Sequence, residues 1–145
     1  MSQPLLIVDG HNAIFGLERF GQHGSRFSEL TRSELVDWIS RYQTVTDYAT
    51  VIVFDGKGRK RSSVGGSEGD ALVIYSASGE SADAVIEQLA IGQAAKRRVL
   101  VASNDRLVAH GIMDAGAEPI HLEMLEDMVE SALQDWRRAH QVRTS

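Results

Sequence analysis

Short apolar runs alternate along the chain with longer stretches that mix apolar and polar residues. Most of these runs are continuously apolar, which is typical of parallel strands buried on both faces of a sheet. We therefore predict five strands, at Leu5–Val8, Val51–Phe54, Ala71–Tyr75, Val99–Ala102 and Ala117–His121.

The stretches between the runs carry apolar residues at helical spacing. Thr31 to Glu34 forms a capping-box pattern before the first helical stripe, Ser81 is a predicted N-cap of the second, and Gly116 suits the end of the third. Strands alternating with helices predict an α/β sandwich with right-handed crossovers. The four stripes are Leu35–Val45, Ala82–Ala90, Leu107–Ile112 and Leu125–Trp136, and both tryptophans, Trp38 and Trp136, are predicted to lie in the core.

The length of 145 residues is typical of one domain, and no linker or repeat divides it, so we predict a single domain over residues 1–145. The chain has no cysteine, which excludes disulfides and thiolate chemistry. The first apolar run meets Asp9 at once and is far shorter than the roughly 20 residues of a membrane span. We expect a cytoplasmic protein without membrane contact, with mobile segments at residues 21–27 and 57–69.

Acidic residues follow the predicted strands at their carboxyl ends. Asp9 and Asp55 come directly after the first two strands, Glu80 and Asp83 just after the third, and Asp105 three residues after the fourth. Carboxyl ends of parallel strands meet at one edge of a sheet, where open α/β folds bind ligands. Since neighbouring strands are about 4.8 Å apart, these carboxylates are expected to share one hard cation.

Such a cluster is electrostatically unfavourable unless a cation compensates it, because each carboxylate raises the pKa of the others. Mg²⁺ or Mn²⁺ would remove the repulsion and suit the attack of water on a phosphodiester. Each residue also has an ordinary interpretation: Asp9 and Asp55 precede glycines as in turns, and Asp83 and Asp105 stand at helix starts. Their joint occurrence at one edge favours a site.

Four segments carry these acidic residues in order: Leu-Ile-Val-Asp9-Gly10-His11-Asn12, Val-Ile-Val-Phe-Asp55-Gly56, the run from Gly79 to Asp83, and Ala102-Ser103-Asn104-Asp105. They resemble the motifs of the YacP-like branch of the NYN (PIN-like) nucleases, and the similarity extends from Leu5 to about Ala132. His11 is a departure, because the family usually has tyrosine there. We assign His11 no catalytic role.

The resemblance implies a three-layer, PIN-like α/β sandwich with a mainly parallel five-stranded sheet in the order 3-2-1-4-5. Strands one and four would then flank the topological switch point and bring Asp9 and Asp105 together. It also implies metal-dependent cleavage of RNA. By position, Asp9, Asp83 and Asp105 resemble the catalytic metal ligands, Asn12 a residue near the phosphate, and Glu80, Asp55 and Glu87 secondary candidates.

Members of this family resemble ribosome-associated endonucleases that cut messenger RNA, which implies RNA, and messenger RNA on the ribosome, as partners. Lys57, Arg59, Lys60 and Arg61 follow the Asp55 strand end and are predicted to contact the RNA backbone, as is Arg106. An ordinary solvated loop is the alternative for this charge run. For the aromatic residues Phe15, Phe20 and Phe27, core packing or loop anchoring is predicted, with base stacking as the alternative.

Other protein classes fit less well. A dehalogenase-type phosphatase needs a second acidic residue two positions after the first, where this chain has His11. A receiver domain would pair acidic residues after its first strand and place a lysine after its last, and neither feature is present. A non-catalytic RNA- or ribosome-binding module that keeps the nuclease fold remains the alternative function.

Overall fold

The computed structural model of the protein describes residues 2–21 and 28–144. The strands are β1 (Leu5–Asp9), β2 (Ala49–Phe54), β3 (Ser62–Gly65), β4 (Leu72–Tyr75), β5 (Val99–Ala102) and β6 (Glu118–Ile120). The helices are α1 (Gly10–Gly16), α2 (Glu29–Val45), α3 (Ala82–Ala94), α4 (Arg106–Met113) and α5 (Leu122–Thr144), with a short 3-10 helix at Glu18–Phe20.

The strands form one sheet in the order β3-β4-β2-β1-β5-β6. All neighbours pair in parallel except β3, which runs antiparallel to β4 at the edge. The five strands predicted from the sequence stand in the predicted order 3-2-1-4-5, so the predicted fold class is confirmed. β3 is a sixth strand, added at one edge.

Successive residues of β1 point to opposite faces of the sheet, as strand geometry requires. Leu6 and Val8 pack into one core with α2 and α5, whereas Leu5 and Ile7 pack into a second core with α3 and α4. The sheet is therefore buried on both faces and forms the middle of three layers. This explains why its strands are continuously apolar in the sequence.

Two predictions about local structure were wrong. The stretch 57–69 contains β3, whose four residues are all exposed, so no buried face left an apolar pattern in the sequence. Helix α2 begins earlier than the capping-box pattern predicted: the Ser28 hydroxyl accepts a hydrogen bond from the Thr31 backbone N–H, and the Thr31 side chain is buried inside the helix. The Ser81 cap of α3 is confirmed by the hydrogen bond that its side chain accepts from Ala84.

Burial of the aromatic and stripe residues is mixed. Trp38 is in the core as predicted and Phe20 is buried too, whereas Trp136 is exposed, contrary to its predicted core position. Phe15 is also exposed, which excludes core packing for it, and so is Leu107 of the third helical stripe. Phe27 and most of the predicted mobile segment 21–27 lie outside the described residues. Within the described ranges, no helix combines the length and the apolar character needed to cross a membrane.

Helix α1 starts directly after β1, and its first residue, Gly10, lies close to β2. This close approach leaves no space for a side chain at Gly10. A Cβ atom there would lie 2.9 Å from the carbonyl oxygen of Val53 and closer still to the ring of Phe54. The missing side chain lets α1 begin at the carboxyl edge of the sheet. His11 and Asn12 are thereby placed beside Asp9.

We expect Gly10→Ala to lower the free energy of unfolding by about 1–3 kcal/mol, because the added methyl group overpacks a rigid backbone contact. Gly92→Ala is the matched control. Gly92 lies within α3, and a Cβ atom added there would meet no other atom within 4 Å, so alanine should raise stability by about 0.5–1 kcal/mol. Urea unfolding of the two variants measures both changes, and equal stabilities would contradict the close approach at Gly10.

Candidate active site at the carboxyl edge of the sheet

Asp9 is the most buried acidic residue of the site, with 6% of its surface exposed. Its carboxylate accepts a hydrogen bond of 2.8 Å from the Ser103 hydroxyl and another from the backbone N–H of Asn12. Burial nevertheless raises the pKa of Asp9 to about 6, and repulsion by Asp83 and Asp105 adds to the rise. The hydrogen bonds do not offset the cost of a charge at this position.

Asp83, in the first turn of α3, is the carboxylate that interacts with most of the others. Burial raises its pKa, and Asp105 and Asp55 raise it further by charge repulsion. Hydrogen bonding of the protonated Asp83 carboxyl to Asp105 raises this pKa as well, and Glu87, one turn along α3, contributes more repulsion. The site therefore concentrates negative charge that no neighbouring cation neutralises in the described part of the chain.

Ser103, Asn104 and Asn12 join the ends of β1 and β5. The Ser103 hydroxyl accepts a hydrogen bond of 3.0 Å from the Asp105 backbone N–H while it donates to Asp9. The Asn12 side-chain oxygen accepts a hydrogen bond of 2.7 Å from the Asn104 backbone N–H. The Asn104 side-chain oxygen in turn accepts a hydrogen bond of 2.9 Å from the backbone N–H of Leu122, at the start of α5. This network fixes the two strand ends relative to each other, and with them Asp9 and Asp105.

Asp105 and Asp55 each use one oxygen for the scaffold. Asp105 caps α4 by accepting a hydrogen bond of 2.9 Å from the Leu107 backbone N–H. Asp55 accepts a hydrogen bond of 2.9 Å from the Ala82 backbone N–H at the start of α3. The second oxygen of Asp55 lies 3.5 Å from Nδ1 of His11. The imidazole of His11 also rests against the ring of Phe54, with centroids 5.3 Å apart.

Glu80 stands apart from this cluster and is neutralised locally. Arg61 donates two hydrogen bonds of 2.9 Å to its carboxylate and a third of 2.7 Å to Gln88. Arg61, together with the Ala77 backbone N–H, lowers the pKa of Glu80 to about 2. Glu80, which was predicted to bind metal, is therefore paired with Arg61, which was predicted to contact RNA. Their roles in metal binding and RNA binding remain predictions.

The remaining basic candidates are exposed at the same edge. Lys57, Arg59 and Lys60 precede β3, and Arg106 opens α4 next to Asp105. Unlike Arg61, these four side chains form no ion pair or hydrogen bond with any described residue. Their charges are available to a partner.

The donor chemistry of the cluster fits a hard divalent cation, because carboxylate oxygens are the ligands that Mg²⁺ and Mn²⁺ prefer. The repulsion around Asp9 and Asp83 is what such a cation would compensate. No three acidic or histidine side chains within residues 2–21 and 28–144 stand close enough to hold a metal ion as they are. Binding would require the carboxyl groups to draw together.

The sequence pattern missed the supporting roles of Ser103 and Asn104. A signal was present, because a serine two residues before an aspartate at a helix start commonly accepts a backbone hydrogen bond and shapes such a turn. The partner of Asn104 is the start of α5, 18 residues further on. Only the packing of β5 against β6 reveals that contact.

The comparisons with known proteins agree with this fold. The profile of the YacP-like NYN domain matches residues 6–145, and the chain belongs to this family. It therefore has a nuclease fold of the ribonuclease type.

Two crystal structures of Rae1 (YacP) from Bacillus subtilis are similar to it, each at 26% identity. One, of a variant with a tryptophan replaced by leucine, has a TM-score of 0.80 over 97% of this chain and 83% of that one. The other has a TM-score of 0.78 over 99% of this chain and 82% of that one. The comparison with curated proteins gives no match.

Proposed function

We propose that the protein is a metal-dependent endoribonuclease that hydrolyses phosphodiester bonds of single-stranded RNA at the Asp9–Asp83–Asp105 cluster. By family similarity, messenger RNA on the ribosome is the proposed substrate, and the cytoplasm the place of action. The observation that carries the proposal is the buried, electrostatically uncompensated Asp9 beside Asp83 and Asp105. Folding alone gives no reason to keep such a charge, whereas a cation-dependent reaction does.

The bound cation would be held by Asp9, Asp83 and Asp105, with Asp55 nearby. When bound, Mg²⁺ or Mn²⁺ would supply charge stabilisation for the in-line displacement at phosphorus, in which water adds and the ester oxygen leaves. Ser103 and the Asn12 backbone hold the Asp9 carboxylate in place. Asp105 caps α4 with one carboxylate oxygen, which leaves the other for the cation.

A test uses a labelled, mostly single-stranded RNA with the purified protein, in Mg²⁺ or Mn²⁺ and in EDTA. Fragments that depend on the metal support the proposal. A rise of the melting temperature with added Mn²⁺ is a second readout, because a ligand that binds only the folded state stabilises it. Absence of both, for free RNA and for RNA on ribosomes, would leave a binding module that keeps the nuclease fold.

The cations before β3 that pair with no described residue are proposed to hold the RNA backbone. We expect Lys60→Ala to weaken RNA binding for all sequences alike and to lower the slope of log affinity against log salt by about 0.7–1. Lys96→Ala is the control, because Lys96 is exposed between α3 and β5, at the other edge of the sheet. Fluorescence anisotropy at several salt concentrations measures the slope, and an equal slope for Lys60→Ala and the unmodified protein would exclude this contact.

A further inference from the structure

An open cavity of about 780 Å³ lies at the amino edge of the sheet, opposite to the edge that carries the acidic cluster. Strands β1, β2 and β4 begin there in parallel, and the ends of α2 and α3 and the turn between β3 and β4 complete its walls. Small-molecule sites have volumes of roughly 300–1,000 Å³, so this cavity is of suitable size. The apolar part of its lining is formed by Leu5, Val51, Leu72 and Leu89.

Hydrogen bonds within the protein hold the walls of this cavity in place. The Gln43 side chain, near the end of α2, accepts a hydrogen bond of 2.6 Å from the Thr50 hydroxyl and donates one of 3.2 Å to the backbone carbonyl of Asp70. The Ala71 backbone N–H donates a hydrogen bond of 3.0 Å to the Ser40 hydroxyl. The turn between β3 and β4 is thereby tied to α2 and β2, so the cavity is a fixed feature of the fold.

Arg97 is the one cation among the described lining residues, and it forms no ion pair or hydrogen bond through its side chain with any described residue. Its Nε is shielded from solvent and has no acceptor in the described part of the chain. The neighbouring Arg98 is paired, because it donates hydrogen bonds of 2.9 Å and 3.1 Å to Glu118. A buried donor without an acceptor is unfavourable and uncommon in folded proteins, which indicates that Arg97 serves a ligand with an oxyanion.

Two carboxylates, Glu68 and Asp70, lie on the turn that forms another wall of the same cavity. Both residues are exposed, and neither forms an ion pair with Arg97 or with any other described residue. Opposite charges therefore line one cavity without contacting each other. A polyphosphate or a nucleic acid would be repelled by the two carboxylates, whereas a molecule with one anionic group, one cationic group and an apolar body matches all three parts of the lining.

We propose that this cavity binds a free apolar α-amino acid. The carboxylate of the ligand accepts hydrogen bonds from the Arg97 guanidinium, whose planar fork suits a carboxylate. The ammonium group of the ligand faces Glu68 and Asp70, and its side chain covers the apolar wall. The site is separate from the proposed nuclease site, since the two lie at opposite edges of the sheet.

Isothermal titration calorimetry of the whole protein with free leucine and with free phenylalanine at pH 7 tests this proposal. Arg97→Gln should weaken binding by about 10- to 100-fold, because it removes a charged hydrogen-bond donor. Lys96→Gln is the matched control: it removes the same charge from the adjacent, exposed position and should bind like the unmodified protein. Equal affinities of the two variants, or no binding of either amino acid at millimolar concentration, would overturn the proposal.

Two analogues of leucine test each charge of the ligand on the unmodified protein, without relying on the folding of a variant. Isocaproate lacks the ammonium group and isoamylamine lacks the carboxylate, and each should bind about tenfold more weakly than leucine. In the double variant Glu68→Gln, Asp70→Asn, leucine and isocaproate should bind equally. If isocaproate binds the unmodified protein as tightly as leucine, the cavity takes simple anions and the amino-acid proposal is wrong. Melting temperatures of all variants show whether a loss comes from unfolding.

Discussion

Asp9→Asn should lower the rate of RNA cleavage by more than about 100-fold while the protein stays folded. Asparagine keeps the shape of the side chain and an oxygen that accepts the Ser103 hydrogen bond, so the link between β1 and β5 persists. What disappears is the negative charge that would hold the cation. Even residues that only support metal ligands contribute about 10- to 100-fold, and a ligand is expected to contribute more.

Asp47→Asn is the matched control for this experiment. Asp47 is exposed between α2 and β2, at the edge of the sheet opposite to the cluster, so its change removes the same charge from the protein without touching the site. Initial rates on one labelled RNA in Mn²⁺ compare the two variants. Cleavage by Asp9→Asn at the rate of Asp47→Asn would show that the reaction takes place elsewhere.

The negative charge of Asp9 should also lower the stability of the protein as the pH rises. Relative to Asp9→Asn, we expect the unmodified protein to be less stable at neutral than at acidic pH. The pKa of Asp9 is about 6 in the folded protein and 3.8 in the reference state, so the folded state binds more protons between these values. Stability from this group is complete below about pH 4 and is lost as the pH rises through 6. At about 1.4 kcal/mol per pKa unit, the loss is on the order of 3 kcal/mol.

Urea unfolding of the unmodified protein and of Asp9→Asn at pH 4, 5, 6 and 7, in EDTA, measures this effect. The difference in unfolding free energy between the two proteins should grow toward pH 7 in favour of Asp9→Asn. Comparing the two proteins cancels groups of opposite sign, such as Glu80, whose pKa Arg61 lowers. Asp83, whose pKa is raised by burial and by its neighbours, is present in both proteins, so its own contribution cancels as well. A difference that does not change with pH would contradict the burial of a charged Asp9.

The parts of the fold and site that the sequence predicted are those that depend on local pattern. Asp9, Asp55 and Asp105 each follow an apolar run, and parallel strands necessarily place such residues at one edge. The helical period beginning after Ser81 likewise placed Asp83 at the start of α3. These rules depend only on the local sequence, which explains why the sequence alone predicts the carboxylate cluster.

The parts that the sequence did not predict depend on contacts between distant segments. Arg61 and Glu80 are 19 residues apart, and only the pairing of β3 with β4 brings them into contact. β3 itself has no buried face and therefore no periodic signal. Trp136 was predicted to lie in the core because it falls on the apolar stripe of the last helix, but its side chain is exposed. Charge and hydrophobicity alone do not reveal which way a side chain points.

The two outermost strands of the sheet, β3 and β6, have features that hinder pairing with a strand of another molecule. Pro119 in β6 has no N–H to offer a further strand, and β3 is short, fully exposed and preceded by the cations Lys57 to Arg61. The loop proposed to hold RNA therefore has a second effect, electrostatic protection against self-association. Variants that neutralise several of its charges are expected to aggregate more readily, so the salt dependence of binding is best measured with single substitutions.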